Sequence, residues 1–213
     1  MTMAARLRGI GSNQRYKMSF TSGGLFLNES IAVAALHQHG ENWSQTLTRA
    51  LEVGMTSLPK AASNRRALRE IVNRLSTLGD EEVRFLTDEA ERQDQQYLLW
   101  VAACRAYQFV REFAVEVICD RHLSLQLDLP LESFDIFFAA KADWDDGLAS
   151  ISDMTRNKLR QILFRMMREA SVVSDDHRIQ STHLSNPLRA LIETKTPTDL
   201  AVFPGVAIMG GTQ

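Results

Sequence analysis

Cysteine is scarce in this sequence, which contains only Cys104 and Cys119. Both fall in a segment whose pattern predicts one long helix, Asp94 to His122, where a rise of about 1.5 Å per residue would place them roughly 22 Å apart. A disulfide requires Cα atoms within about 7 Å, so the two thiols cannot pair with each other. Free, buried thiols are typical of a reducing compartment, and we therefore predict a cytoplasmic protein.

Long apolar runs are also missing. The longest strongly apolar stretch, Tyr97 to Cys104, is far shorter than the ~20 residues that span a bilayer. The segment from Met1 to Lys17 carries basic side chains but no apolar run of signal-peptide length. The sequence therefore predicts neither a membrane span nor an export signal.

An excess of positive charge is absent as well. The chain has 24 Lys and Arg residues against 26 Asp and Glu residues, for a formal net charge of -2 at pH 7. This balance excludes a uniformly basic nucleic-acid binder but leaves room for local basic patches. Hydrophobic residues make up 45% of the chain and charged residues 23%, a composition typical of a globular protein with a substantial core.

Motifs that carry chemistry are missing too. There is no Gly-rich phosphate loop, nucleophile elbow or Cys-x-x-Cys pair. His37 and His39 lack the spacing that puts two metal ligands on one helical face. Asp143, Asp145 and Asp146 stand in a turn without a calcium-loop pattern, so capping explains them better. We therefore predict a protein that is not an enzyme and has no catalytic residues, bound metal or cofactor.

Helical periodicity dominates what is present and predicts a mostly α protein. The segment around Leu98 to Val117 is apolar on nearly every side, as expected for a central core helix. One short β-hairpin is predicted between Val172 and Gln180, around a polar turn. From these patterns we divide the chain into a flexible basic N-terminal arm (1–24), a helical bundle (25–127), a helix-turn-helix or winged-helix-like region (128–195) and an irregular tail (196–213).

The first candidate binding surface is a basic helix between Thr155 and Ala170. Its apolar stripe predicts one buried side, and Glu169 is the only acidic residue that opposes its basic side chains. A wet basic helix can enter a major groove, where Arg, Asn and Gln contact base edges. The alternative is a solvated surface face. The candidate DNA-binding residues are Arg156, Asn157, Lys158, Arg160, Gln161, Arg165 and Arg168.

A second basic patch precedes the predicted core helix. It consists of Lys60, Arg65, Arg66, Arg69 and Arg74, against a lone Glu70. Helical spacing places Arg66, Arg69 and Arg74 away from the apolar side chains of the same segment. Two interpretations of this patch remain open. It contacts phosphates of a nucleic acid, or it is a solvated face that the following acidic stretch neutralises.

Two short motifs resemble one known family. They are the segments Ser22–Ser30 (SGGLFLNES) and Thr155–Gln161 (TRNKLRQ), the second continuing through Met166–Ala170, with Trp144 upstream. Both are similar to the BrxA family, a small component of the bacteriophage exclusion (BREX) systems. The family commonly has Gly where this chain has Ser171, so the turn into the predicted hairpin is expected to differ.

The resemblance implies a helical bundle similar to the antitermination factor NusB, a cytosolic location and double-stranded DNA binding. It also implies partners from the BREX system, namely a methyltransferase, an ATPase and a phosphatase-like component. The leading hypothesis is a non-catalytic DNA-binding accessory subunit. The alternatives are a protein–protein adaptor within the BREX complex and an RNA-binding NusB-like protein.

Overall fold

The computed structural model describes residues 16–21, 23–54 and 61–206, and this part of the chain is mostly helical, which confirms the predicted class. It contains two π-helical segments, Phe85–Glu89 and Ala114–Cys119, and one 3-10 helix, Pro197–Val202. Its α-helices are α1 (Leu27–Ala35), α2 (Trp43–Val53), α3 (Ala61–Leu75), α4 (Asp80–Arg84), α5 (Arg92–Ala106), α6 (Gln108–Phe113), α7 (Asp120–Leu123), α8 (Glu132–Ala142), α9 (Asp146–Ala149), α10 (Asp153–Glu169) and α11 (Asn186–Lys195). No helix within the described ranges is long and apolar enough to cross a membrane.

Local sequence signals define where several of these helices begin. Ser152 caps α10, since its side chain accepts a hydrogen bond from the Thr155 N–H at 3.3 Å. Ser185 caps α11 in the same way through the Leu188 N–H at 3.2 Å, with Pro187 in the first turn. Such caps satisfy N–H groups that have no partner inside the helix. The beginnings of these two helices are therefore encoded within a few residues.

The predicted long helix from Asp94 to His122 is interrupted. Tyr107 has φ -133° and ψ 100°, which separates α5 from α6. Its side chain is fully buried, and its hydroxyl donates to the Glu70 carboxylate at 2.6 Å. The break therefore lies where Tyr107 contacts Glu70, 37 residues earlier in the chain. Helical periodicity does not predict such a long-range contact.

Both cysteines are free, as predicted, and Cys104 is fully buried. Burial raises the pKa of the Cys104 thiol well above its usual range and the pKa of the Cys119 thiol to about 12. Neither side chain is a thiolate at neutral pH, and a thiolate is the reactive form. The two thiols therefore serve as small apolar groups in the helical core.

An aromatic cluster around Phe109 forms the centre of the core. The fully buried Phe109 ring has its centroid 5.1 Å from that of Phe137 and 5.9 Å from that of Phe138. Phe20 joins the cluster at 6.4 Å and is itself fully buried. The segment 16–21, assigned above to a flexible arm, thus contributes Phe20 to the core, because its two aromatic side chains find apolar partners in α6. Residues 1–15 lie outside the described residues.

The tail after residue 196 also differs from the irregular segment expected. Its 3-10 helix places Val202 where the carbonyl accepts a hydrogen bond from the buried Trp100 indole N–H at 3.2 Å. Leu200 and Phe203 are buried as well. This part of the tail therefore packs against the core through Leu200, Val202 and Phe203. Residues 207–213 lie outside the described range.

The expected β-hairpin is limited to a single bridge. Between residues 172 and 180, the described structure has no strand and one isolated antiparallel bridge, Val173 with Ile179. The N–H groups of Val172 and Val173 both donate to the Met167 carbonyl, at 3.1 and 3.3 Å, at the end of α10. Because these donors complete the helix end, they cannot extend a ladder. Ser171 adopts φ 57°, in the left-handed region that favours glycine, so this turn keeps a left-handed residue although it has Ser in place of Gly.

Candidate nucleic-acid interface

Helix α10 presents one buried side and one open side. The predicted apolar stripe is buried, and it comprises Leu159, Ile162, Leu163, Met166 and Met167. On the opposite side the side chains of Asn157, Lys158, Gln161 and Arg165 are exposed. Their steps of one, three and four residues place them on one helical face. The sequence therefore identified this open face correctly as basic and polar.

Two of the candidate arginines face a neighbouring helix instead. Arg160 donates to the Asp135 carboxylate on α8. Arg156 lies 3.7 Å from the same carboxylate, and its guanidinium stands over the Phe138 ring at 5.9 Å from the centroid. Both side chains are half-buried. Arg156 and Arg160 therefore connect α10 to α8. Their role depends on Asp135, which is more than 20 residues away in the sequence.

The remaining basic side chains of α10 differ in how they are neutralised. Arg165 pairs with Glu169 at 2.7 Å, and Arg168 lies 3.6 Å from Asp175 in the turn that follows. Lys158 has no ion-pair partner among the residues that the structure describes. Ion pairs at the surface contribute only about 0–1 kcal/mol. A phosphate could therefore replace Glu169 or Asp175 as the partner of these arginines at little energetic cost.

The second basic patch lies on α3, and only part of it is open. Arg65, Arg66 and Arg69 are exposed, and no other described residue forms an ion pair with them. Lys60 lies outside the described residues. These three arginines form an unneutralised cationic face on the first half of α3.

Arg74 does not belong to this open face, contrary to its predicted orientation. Its side chain is buried and donates to Glu70 at 2.7 Å and to the Gly24 carbonyl at 2.6 Å. Glu70, which also accepts from Tyr107, is buried beside it. Such a pair is retained in the interior because hydrogen bonds compensate its desolvation. Arg74 therefore holds the Gly23–Gly24 segment against α3 and is unavailable to a ligand.

The two basic helices meet at one cavity. Its volume is about 720 Å³, and it is lined by Arg66 of α3, Arg165 and Glu169 of α10, and the Gly23–Gly24 segment. The two basic patches, which the sequence predicted as separate surfaces, therefore both contribute arginines to one cavity. The Gly23–Gly24 pair is the sequence feature that indicates such a meeting point, because glycine commonly occurs where another group approaches the backbone closely.

Gly24 is the point at which α10 approaches the N-terminal segment. The Glu169 carboxylate accepts a hydrogen bond from the Leu25 N–H. A Cβ atom on Gly24 would lie only 2.1 Å from the Glu169 Oε2 atom. Any larger residue at position 24 would displace this carboxylate, so glycine is required for the contact.

Metal ligation has no support in this part of the chain. No group of three or more His, Cys, Asp or Glu side chains within the described ranges could hold a metal ion. Asp145, one of the three turn aspartates, instead caps α9 by accepting from the Leu148 N–H at 3.0 Å. It also accepts from the Tyr16 backbone N–H at 3.1 Å.

Comparison with known proteins places this arrangement in a family. A protein-family model described as BrxA matches residues 14–196. The chain belongs to the BrxA family. The matched range includes the Gly23–Gly24 segment, α3, the cavity and α10, so all of the geometry above lies within the segment that defines BrxA.

Individual relatives agree with this assignment. The BREX protein BrxA of Paramagnetospirillum magneticum (strain ATCC 700264 / AMB-1) is 25% identical over 183 residues, which cover 84% of this chain and 90% of the relative. The BREX protein BrxA of Escherichia coli O9:H4 (strain HS) is 27% identical over 185 residues, which cover 84% of each chain.

A solved structure shares the fold of this BrxA chain. The crystal structure of an uncharacterized protein from Magnetospirillum magneticum superposes with a TM-score of 0.75. The match covers 91% of this chain and all of the other, at 23% sequence identity. At this identity the likeness shows the fold alone.

Replacing Gly24 with Ala should destabilise this BrxA chain by about 1–3 kcal/mol, because the displaced Glu169 carboxylate leaves the buried Leu25 N–H without its acceptor. Gly79→Ala is the comparison, and it should cost at most about 1 kcal/mol, because its main effect is to replace Gly by Ala at the N-cap of α4. Gly79 has φ -78°, and its nearest neighbour to an added Cβ would be Glu82 at 3.9 Å, an ordinary contact. Urea unfolding measures both variants. Equal free energies of unfolding in the two variants would show that the Glu169 hydrogen bond to the Leu25 N–H does not require glycine at position 24.

Proposed function

We propose that this BrxA-family chain is a non-catalytic accessory subunit of a BREX phage-defence system and that it binds double-stranded DNA. Two relatives that carry the name BREX protein BrxA support the assignment to this system. The observation that carries the DNA-binding proposal is the open face of α10. There Asn157, Lys158, Gln161 and Arg165 stand exposed along one side of a helix of 17 residues.

The chemistry of this face suits a duplex. Lys and Arg neutralise phosphates and release condensed counterions, which supplies most of the affinity of small DNA-binding surfaces. Asn157 and Gln161 are of the types that make paired hydrogen bonds to adenine in the major groove. Lys158 stands beside Asn157, so one approach of the helix serves both phosphate and base contacts.

The rest of the region supports α10 in this role. Arg156 and Arg160 bind Asp135 and so hold α10 against α8. In this proposal α8, the turn that follows it and α10 form the helix-turn-helix of a winged-helix-like region, on the order of these elements along the chain. The bundle around it is NusB-like, as the family resemblance implies. The turn after α10 contains Asp175 and Asp176, whose charge opposes contact with phosphates. The helix, and not this turn, therefore makes the main contacts.

The protein–protein adaptor is a second candidate function, because large apolar side chains are exposed near α10. Trp144 is 85% exposed, Met154 84% and Ile136 71%. Exposed apolar groups of this size commonly mark contacts with other proteins. Other components of the BREX system, such as the methyltransferase, the ATPase and the phosphatase-like component, are the partners to expect. The adaptor becomes the better proposal if the parent protein does not bind duplex DNA.

The DNA-binding proposal predicts that Lys158→Gln/Arg165→Gln weakens duplex binding strongly, whereas Arg65→Gln/Arg69→Gln on α3 has a smaller effect. The two variants lose the same charge from exposed positions, so net charge does not distinguish them. Fluorescence anisotropy over a range of salt concentrations measures both. The parent should bind in the micromolar range, and the α10 variant should lose about 1.8 from the log–log salt slope, at about 0.9 for each of two phosphate contacts.

Three other results would change the proposal. An equal loss of duplex affinity in the two variants would mean that the overall charge of the protein attracts DNA and that α10 has no specific binding surface. A larger loss in the α3 variant would move the interface to Arg65, Arg66 and Arg69. Tighter binding to duplex RNA than to duplex DNA would favour the RNA-binding alternative.

A further inference from the structure

The cavity between α3 and α10 has the size and position of a small-molecule site. Its volume of about 720 Å³ lies within the range of about 300–1,000 Å³ that is usual for such sites. The first turns of α1 and α5 also line it, through Leu27–Glu29 and Arg92, and Ser63 lies in the first turn of α3. The N-terminal end of a helix carries a partial positive charge. Three such ends therefore surround one cavity.

Two guanidinium groups in the wall are unneutralised. Arg66 of α3 and Arg92 of α5 are exposed and line the cavity. Neither forms an ion pair or hydrogen bond with another of the described residues. They come from different helices, so the fold brings to one cavity two cations that form no ion pair with the described residues. Arg side chains in this arrangement suit bidentate binding of phosphate oxygens.

The acidic residues of the wall do not cancel this charge. Glu169 is already occupied, since it binds Arg165 at 2.7 Å and also accepts from the Leu25 N–H. Glu29 stands in the first turn of α1, where the helix end offsets a carboxylate. The Arg66 and Arg92 charges are therefore the ones that remain for a ligand.

The wall is mixed in character beyond these charges. Phe26, Leu27 and Ala67 supply apolar surface, and Glu29 and Gln96 supply polar groups that can accept hydrogen bonds. A simple inorganic ion would leave most of this surface uncovered. A molecule that joins phosphates to a larger, partly apolar group would contact both parts of the wall.

We propose that this cavity binds a phosphorylated small molecule of nucleotide size, with its phosphates held by Arg66 and Arg92. The site is separate from the open face of α10 and shares only Arg165 with it. It lies where α10 meets the N-terminal helices, so a bound ligand would contact both. The proposal does not depend on DNA binding, because the cavity and its two free arginines exist in the protein alone.

Calorimetric titration of the full chain without DNA tests the proposal, with ATP, pyrophosphate and adenosine as probes. ATP should bind more tightly than pyrophosphate, and adenosine should show no measurable binding. Arg66→Gln and Arg92→Gln should each weaken ATP binding about tenfold or more, as expected for the loss of a hydrogen bond to a charged group. Arg69→Gln is the matched control, since Arg69 is exposed on the same helix but does not line the cavity.

Several results would overturn the proposal. One is the absence of any binding of ATP or pyrophosphate at millimolar concentration. Another is an equal loss of affinity in Arg69→Gln, which would indicate general attraction of anions to α3. A third is retention of full ATP affinity by both cavity variants. Duplex DNA binding is measured in parallel, and loss of DNA binding in Arg66→Gln and Arg92→Gln without any ATP binding by the parent would assign the two arginines to the DNA surface.

Discussion

Replacing Phe109 with Ala should lower the free energy of unfolding by about 3–5 kcal/mol, the usual cost of truncating a buried Phe. The Phe109 ring is fully buried and lies within 6 Å, centroid to centroid, of Phe134, Phe137 and Phe138. Truncation removes the ring from the middle of these contacts and leaves a void that well-packed neighbours cannot fill completely. Urea unfolding followed by far-UV circular dichroism measures the change.

The control for Phe109→Ala is Leu123→Ala, because the Leu123 side chain is 77% exposed. A substitution at such a surface position should change the free energy of unfolding by no more than about 0.5 kcal/mol. A loss below 1 kcal/mol in Phe109→Ala would contradict the central position of this ring. The Phe109 variant should also loosen residues 16–21, since Tyr16 and Phe20 pack against the same ring.

The second large effect is expected from Asp199→Ala, which should also cost about 3–5 kcal/mol. Asp199 is 1% exposed and binds two arginines, Arg105 at 2.7 Å and Arg111. Arg105 in turn makes a bidentate pair with Glu82, at 2.7 and 2.8 Å. Removing Asp199 leaves Arg111 without its carboxylate and leaves Glu82 as the one carboxylate that binds Arg105. The loss of a charge from the middle of a largely buried network is the reason for the large cost.

A surface pair provides the comparison for Asp199. Glu193→Ala removes one ion pair on the surface of α11, in which Arg189 lies 2.8 Å from Glu193 one helical turn away. The expected cost is about 0–1 kcal/mol, because water solvates and screens ion pairs at the surface. If Asp199→Ala and Glu193→Ala unfold at the same urea concentration, the network contributes no more than a surface pair.

The Asp199 network also explains why the tail is ordered. It joins the 3-10 helix to α5 and α6 through the two arginines, and to α4 through Glu82. The tail has no helical periodicity, and for this reason sequence analysis predicted an irregular segment. Its position depends on partners that are about 90 residues away in the chain.

For the candidate interface, the sequence predicted the open face of α10 but not the state of each charge. The apolar stripe of α10 follows from positions within a few residues, and it is buried in the structure. Arg160 and Arg74 have the same local pattern as exposed arginines. The first faces Asp135 and the second is buried with Glu70. Local periodicity places a side chain on a side of the helix but does not show what lies against that side.

The sequence by itself determined the mostly helical class, the apolar stripe of α10 and the core character of the Leu98–Val117 segment. These depend on side-chain spacing, which acts between residues at most four apart. Two short motifs carried the resemblance to BrxA. Only the tertiary structure decided the break at Tyr107, the pairing of Arg160 and the meeting of Arg66, Arg92 and Arg165 at one cavity. These depend on packing between distant helices, because a buried or charged group is stabilised by whichever partner the fold brings within hydrogen-bonding distance.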